Sequence, residues 1–165
     1  MKLELKSIKN KNLNKNLIKD IINLKKQEWN YNFNKQKDWI KKFVKKDDIH
    51  NLLFFNKKLI GYTLLRKRHL ILTLKNIFKK KYFFYFDTLI LNKNFRGKKF
   101  LNKSYSSFIM SLNLRIINKH NYISILHCKK KMISFYKKYD WYNINKKNVT
   151  SDNKKRLNLM ILNKK

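Results

Sequence analysis

"YFFYFDTLIL" (82–91), "NKNFRGKKFL" (92–101) and "NKSYSSFIMSLNLRIINKH" (102–120) follow one another, and the fold turns on how they are read. The first is an apolar run holding one acid, Asp87, and it reads as a strand covered on both faces. The third continues a stripe of Leu101, Tyr105, Phe108, Leu112 and Ile116 at helical spacing. "YISILHC" (122–128) then returns as a short buried strand. A strand–helix–strand unit of this kind predicts a parallel pair. Between strand and helix lies Gly97, one of only two glycines, flanked by Arg96, Lys98 and Lys99. Such a turn offers unpaired backbone N–H groups and the positive end of a helix dipole to an anion. The same residues also suit a basic surface loop whose glycine relieves a turn.

Outward from this unit, "LNKNLIKDIINLKKQEW" (13–29) places Leu13, Leu17, Ile21 and Leu24 on one helical face. "KQKDWIKKFVKK" (35–46) is a shorter amphipathic helix. "IHNLLFFN" and "KKLIGYTLLRKRHLIL" read as two strands in a hairpin, and "LKNIFKKK" (74–81) as a basic connection without assigned form. "KKMISFYKKYD" predicts a helix with Met132, Phe135, Tyr136 and Tyr139 inward, and "WYNIN" and "RLNLMILN" predict closing strands. The element order is two helices, three strands, helix, strand, helix and two strands.

The 165 residues suffice for one domain with one core. Hydrophobic content of 43% excludes a disordered chain. Lys and Asn interrupt every apolar run well short of the roughly 20 residues of a membrane span, and "MKLELKSIKN" has no signal-peptide block. A lone cysteine, Cys128, suits a reducing compartment. A cytoplasmic single domain (1–165) is expected, with no membrane partner. The net charge of +33 attracts anions in general. It does not specify nucleic acid, because lysine is spread from end to end and only five of the 42 cationic residues are arginine. With no alanine or proline and abundant Asn, Ile, Phe and Tyr, the composition is that of A/T-rich codons.

"DTLILNKNFRGKKFL", followed one helix later by "ILHCKKKMISFYKKYDW", resembles the GNAT superfamily of acetyl-CoA-dependent N-acetyltransferases. Members carry a strand, a turn of the form Q/R-x-x-G-x-G/A, a long helix, a second strand, and a helix ending in a pattern like F-Y-x-x-x-G-F/W. "KLIGYTLLRKR" (58–68) is similar to the family's preceding strand. The specific likeness covers about 58 to 142. It implies an α+β fold: a mixed sheet of about six or seven strands, about four helices, and a splayed parallel pair. Arg96 matches the first turn position, whereas Lys99 and Leu101 stand where the family has glycine or another small residue. The Leu101 side chain is then expected to turn towards the core. Asp140 replaces the glycine before Trp141 and suits a left-handed conformation.

The resemblance implies acetyl-CoA as cosubstrate, no metal, and a primary amine of a small molecule or protein as acceptor. Backbone groups of Leu89, Ile90 and Leu91 would bond pantetheine, and Arg96, Gly97, Lys98, Lys99, Phe100 and Leu101 would hold the pyrophosphate. Tyr136 aligns with a tyrosine that protonates the leaving thiolate in several members; it also reads as a core aromatic. Trp29, Tyr31 and Tyr62 are the implied substrate-binding residues, with packing as the alternative. The family's habit of pairing through sheet edges makes a homodimer possible.

From the residues themselves, Asp87 shares an alternating face with Phe83, Tyr85, Leu89 and Leu91, where burial would make it a stronger base. The alternative is a structural carboxylate paired with one of the many lysines. Asp47 or Asp48 would hold a cationic amine or form a turn. His50, His69, His120 and His127 lack metal-ligand spacing, and adjacent His127 and Cys128 point to opposite faces. Three functions follow: an N-acetyltransferase acting in a ternary complex, a binding or regulatory protein on the same fold with weakened catalysis, and a basic RNA-associated protein.

Overall fold

The computed structural model describes residues 1–74, 77–144 and 158–162, with side chains described outside 70–80. The described strands make a seven-stranded mixed sheet. β1 (Leu3–Lys9), β2 (Ile49–Phe55), β3 (Lys58–Leu74) and β4 (Ile77–Leu91) are successive antiparallel neighbours. β4 pairs in parallel with β7 (Ile123–Cys128), beyond which lie β9 (Asn158–Leu162) and β8 (Tyr142–Ile144). β5 (Lys99–Phe100) and β6 (Lys103–Ser104) form a separate small hairpin. Helices α1 (Lys15–Lys26) and α2 (Phe33–Phe43) cover one face, and α3 (Tyr105–His120) and α4 (Ile133–Lys137) the other. Among the described residues no helix is long and apolar enough to cross a membrane.

Short polar residues start the longer helices. The Asn14 side chain accepts from Leu17 N at 2.8 Å, Asn32 accepts from Asn34 N, and Ser104 accepts from Ser107 N. Asn121, left-handed at φ 50°, ends α3. The β2–β3 turn needs no glycine because Asn56 and Lys57 both take positive φ.

The buried stripe of α3 contains Asn113 among Ile109, Met110, Leu112 and Ile117. Its Oδ1 accepts from Asn51 Nδ2 at 2.8 Å and from Thr63 Oγ1 at 2.9 Å, while its Nδ2 donates to Ile109 O. Asn51 Oδ1 in turn accepts from Ser7 on β1. This amide chain sets the register of α3 against three strands.

Several expectations are corrected. "LELKSIK" is β1, an edge strand half exposed along its length, so its alternation is weak. The basic connection is strand: β3 and β4 continue as a hairpin through pairs such as Leu70↔Lys81 and Leu74↔Ile77, with Lys75 and Asn76 outside the described residues. Asn145 of one expected closing strand, and Arg156, Leu157 and Asn163 of the other, also lie outside them. α3 begins at Tyr105, not Leu101, because Leu101 and Asn102 are left-handed and Ser104 is the cap.

His50 is fully buried, its Nδ1 3.0 Å from Tyr62 Oη and its Nε2 3.1 Å from Asn10 Oδ1. Burial pushes the imidazole down to about 4 and the Tyr62 phenol well above its ordinary value. The unfolded chain takes up this proton near pH 6.5, and the folded chain only near 4. The contribution is therefore complete above about pH 6.5 and falls by roughly 3 kcal/mol towards pH 4. Urea unfolding across this range is expected to show that slope, flattened in His50→Phe. Asn113→Leu should cost about 2–3 kcal/mol in the same assay at pH 7, since it orphans the Asn51 and Thr63 donors.

Candidate functional site

The parallel ladder between β4 and β7 holds only at Phe83↔Ile123, Phe84↔Ser124 and Tyr85↔Ile125. Beyond these pairs β4 runs to Leu91 and β7 to Cys128 without pairing to each other. The separation starts at a β-bulge. Leu64 pairs with Thr88 and Leu65 with Phe86, leaving Asp87 as the extra residue on β4, and a bulge bends and twists its strand. Asn92 N donates to Ile60 O, so by alternation Ile90 spends its backbone groups on β3. Those of Leu89 and Leu91 point into the opening, where Arg96 Nε donates to Leu91 O at 2.9 Å. Two of the three predicted pantetheine contacts therefore face the gap, and Ile90 does not.

The bulge also splits the face expected for Asp87, which keeps Tyr85 and loses Leu89 and Leu91. Phe84, Phe86, Leu89 and Leu91 pack towards α3, whereas Ile90 joins the α1–α2 core. Asp87 lies with Tyr85 on the α1–α2 side, and its Oδ2 accepts from Arg66 Nη1 at 2.7 Å. Here it has the structural carboxylate's partner, although an arginine rather than a lysine.

On the α3–α4 side, Phe86, Leu126, Cys128, Tyr136 and Trp141 pack into one buried cluster against β4 and β7. The Tyr136 ring meets Phe86 and Trp141 edge-on, with centroids 6.2 and 6.1 Å away. Burial, with a smaller effect from Cys128, pushes its phenol up. Asp140 is left-handed at φ 61°, as expected, and delivers Trp141 into this cluster. Cys128 is buried, its thiol pushed up by burial and 3.6 Å from Met160 Sδ, which suits the packing role.

On the opposite side, Tyr85 Oη lies 3.3 Å from His127 Nδ1. These side chains bridge β4 and β7 where the ladder ends. Behind them, aromatic rings and cations alternate. Lys25 Nζ sits 5.9 Å from the Trp29 ring centroid and 4.9 Å from that of Trp39. The Arg66 guanidinium then lies 5.6 Å from Trp39 and 5.9 Å from Tyr85. Tyr31 stacks on Trp29 and is exposed. Trp29 and Tyr31 thus form the outer end of this row. Tyr62, the third predicted substrate residue, is instead buried against His50 beneath the α1–α2 layer. Asp48 is buried too, accepting from Lys45 N, Lys67 N and Arg68, which makes it a turn anchor.

Of the predicted phosphate residues, Gly97 takes φ 73°, and Lys98 and Lys99 are exposed. Arg96 reaches back to Glu28 at 2.8 Å. Phe100 packs on Phe55, Tyr105 and Phe108. Leu101 is 79% exposed at the tip of β5–β6, contrary to the expected inward turn. Its left-handed backbone, φ 47°, aims the side chain at solvent. The start of α3 therefore lies beyond the glycine turn, at "KSYSS" (103–107), where Ser104 Oγ is 2.6 Å from Ser107 Oγ and Ser107 Oγ is 3.2 Å from Tyr139 Oη. These serines stand outside the predicted site, although a serine directly before a helical stripe is an N-cap signal. The Tyr85–His127 pair and Lys25 stand outside it too, because no local spacing connects them.

No family model matches the sequence, and no curated protein matches it. Solved structures do. Escherichia coli ElaA superposes with a TM-score of 0.67 at 15% identity, covering 97% of this chain and 99% of that one. Naa50 of Arabidopsis thaliana, in complex with a bisubstrate analogue CoA-Ac-MVNAL, gives 0.60 at 18% identity over 97% of each chain. The PaiA N-acetyltransferase of Thermoplasma acidophilum, in complex with coenzyme A, gives 0.60 at 16% identity over 98% of each. The chain has the GNAT fold: a mixed sheet with a splayed parallel pair between two helical layers.

Leu101→Gly is expected to stabilise the protein by about 0.5–1 kcal/mol. It removes a Cβ from a left-handed position at which little apolar area is buried. Thermal and urea unfolding read the change.

Proposed function

We propose that this chain is a cytoplasmic N-acetyltransferase that passes the acetyl group of acetyl-CoA directly to a primary amine of a small molecule or protein. The observation that carries this reading is the opening between β4 and β7, with titratable side chains on its two sides. The surroundings fit the cosubstrate. Backbone groups of Leu89 and Leu91 point away from β3 where the β4–β7 ladder has ended, and the first N–H groups of α3 follow Lys98, Lys99 and Lys103 in the chain. Those residues would hold the pantetheine and diphosphate. Acetyl-CoA supplies the acetyl group as an activated thioester.

The chain's own residues divide the proton work by side of the sheet. His127, oriented by Tyr85 Oη, takes a proton from the acceptor amine on the α1–α2 side. Asp87 and Arg66 form a fixed pair that positions the wall beside it. A main-chain N–H at Leu89 or Leu91 polarises the carbonyl. Tyr136 Oη, kept protonated by burial, gives its proton to the departing sulfur on the α3–α4 side. Tyr136 and Trp141 also close that side against water.

Acetyl-CoA at millimolar concentration should raise the Tm by mass action, and amines should release free thiol in its presence. Tyr136→Phe should lower kcat by about 100-fold while preserving the acetyl-CoA-induced Tm shift. His127→Ala should lower kcat comparably while preserving the acetyl-CoA-induced Tm shift. Absence of both the Tm shift and thiol release would overturn the reading. A Tm shift without turnover on any amine would leave a binding protein on the same fold.

A further inference from the structure

Trp29, Lys25, Trp39, Arg66 and Tyr85 alternate ring and cation from the α1–α2 loop to the mouth of the opening. This row contains two cations and one carboxylate. Asp87 is taken by Arg66 at 2.7 Å. Lys25 is only 7% exposed, and among the described residues no carboxylate comes within ion-pair distance of it. Its ammonium lies between two indole rings, whose faces offset part of the desolvation cost. Burial lowers its pKa, and the more distant Asp87 partly opposes that shift. The nearby acids do not make up the deficit: Asp48 is spent on Arg68, and Glu28 on Arg96.

We infer that the acceptor amine carries an anionic oxygen group, a carboxylate or a phosphate, and that Lys25 is the residue that selects it. A ligand anion entering past Trp29 and Tyr31 would provide the missing counter-charge and leave the amine to face Tyr85 and His127. A purely cationic acceptor would instead meet the Lys25 ammonium with no free acid beside it, since Asp87 and Asp48 are held by arginines. The ring walls contribute flat apolar surface that suits a short carbon spacer between the two groups. This inference rests on the acetyl-transfer reading above, so its test includes a readout that does not need turnover.

The experiment compares matched primary amines: β-alanine with β-alaninamide, and phosphoethanolamine with ethanolamine. Thiol release from acetyl-CoA is followed in the full chain, its Lys25→Met form and its Lys25→Arg form. The anionic member of at least one pair should show kcat/KM roughly ten- to hundredfold above its neutral mate, mainly through KM. The preferred pair tells carboxylate from phosphate. Lys25→Met should bring that ratio to near one, and Lys25→Arg should keep most of it. Equal use of both members in both pairs, or an equal loss for both members in Lys25→Met, overturns the inference while leaving acetyl transfer intact. If no amine is turned over, the acetyl-transfer reading fails on this panel, and thermal shifts with the same compounds decide separately. Stabilisation by an anionic member that disappears in Lys25→Met supports Lys25 as an anion contact, and its absence in the wild type overturns it.

Discussion

The extra residue that Asp87 inserts into β4 is the constraint from which the arrangement of the site follows. With one residue unmatched against β3, the strand changes which side chains face which layer, and it leaves β7 after three ladder pairs. Backbone groups that an intact sheet would consume are thereby left for another partner. The same bulge sends Leu89 and Leu91 towards α3, while Asp87 stays with Tyr85 beside Arg66 on the other side. A regular β4 would have kept Leu89 and Leu91 in the layer of Tyr85 and Asp87.

The two sides of the sheet then differ in electrostatic character. Towards α3 and α4 the wall is apolar and aromatic, so a phenol such as Tyr136 stays protonated there. Towards α1 and α2 the interior holds charges, and the carboxylates of Asp48 and Asp87 meet arginines rather than lysines. Asp48 accepts two bonds from the Arg68 fork, a geometry that a lysine ammonium does not reproduce. Of a cationic complement of 42, mostly lysine, Arg66, Arg68 and Arg96 stand where planar, directional contacts are needed. The lysines mainly coat the surface. Lys25 breaks that division by lying inside.

Glycine is nearly absent, and the chain shows how its turns are made without it. Asn56, Lys57, Leu101, Asn102, Asn121 and Asp140 all adopt positive φ. Asn and Asp tolerate this conformation because their short side chains hydrogen-bond locally. At Leu101 no such compensation exists, and the hairpin it tips displaces the start of α3 to Ser104. A turn that looked like one element joining strand to helix is two: a glycine turn at residues 96 and 97, then a hairpin.

What the sequence by itself determined was the sequence of layers. Hydrophobic spacing along 13–29, 35–46 and 102–120, and the doubly apolar run at 82–91, identify helices and a central strand because periodicity reports which faces are covered. The parallel pair and the left-handed Asp140 were legible for the same kind of local reason. Tertiary structure alone decided the rest. The bulge depends on how β3 and β4 match over their length. The Tyr85–His127 bridge joins residues 42 positions apart, and the row containing Lys25 and Arg66 gathers two helices and two strands. Register and cross-strand proximity are properties of the packed sheet. A one-dimensional pattern of apolar and polar residues carries the period of each element but not its phase against its neighbours, and the chemistry of this site is set by that phase.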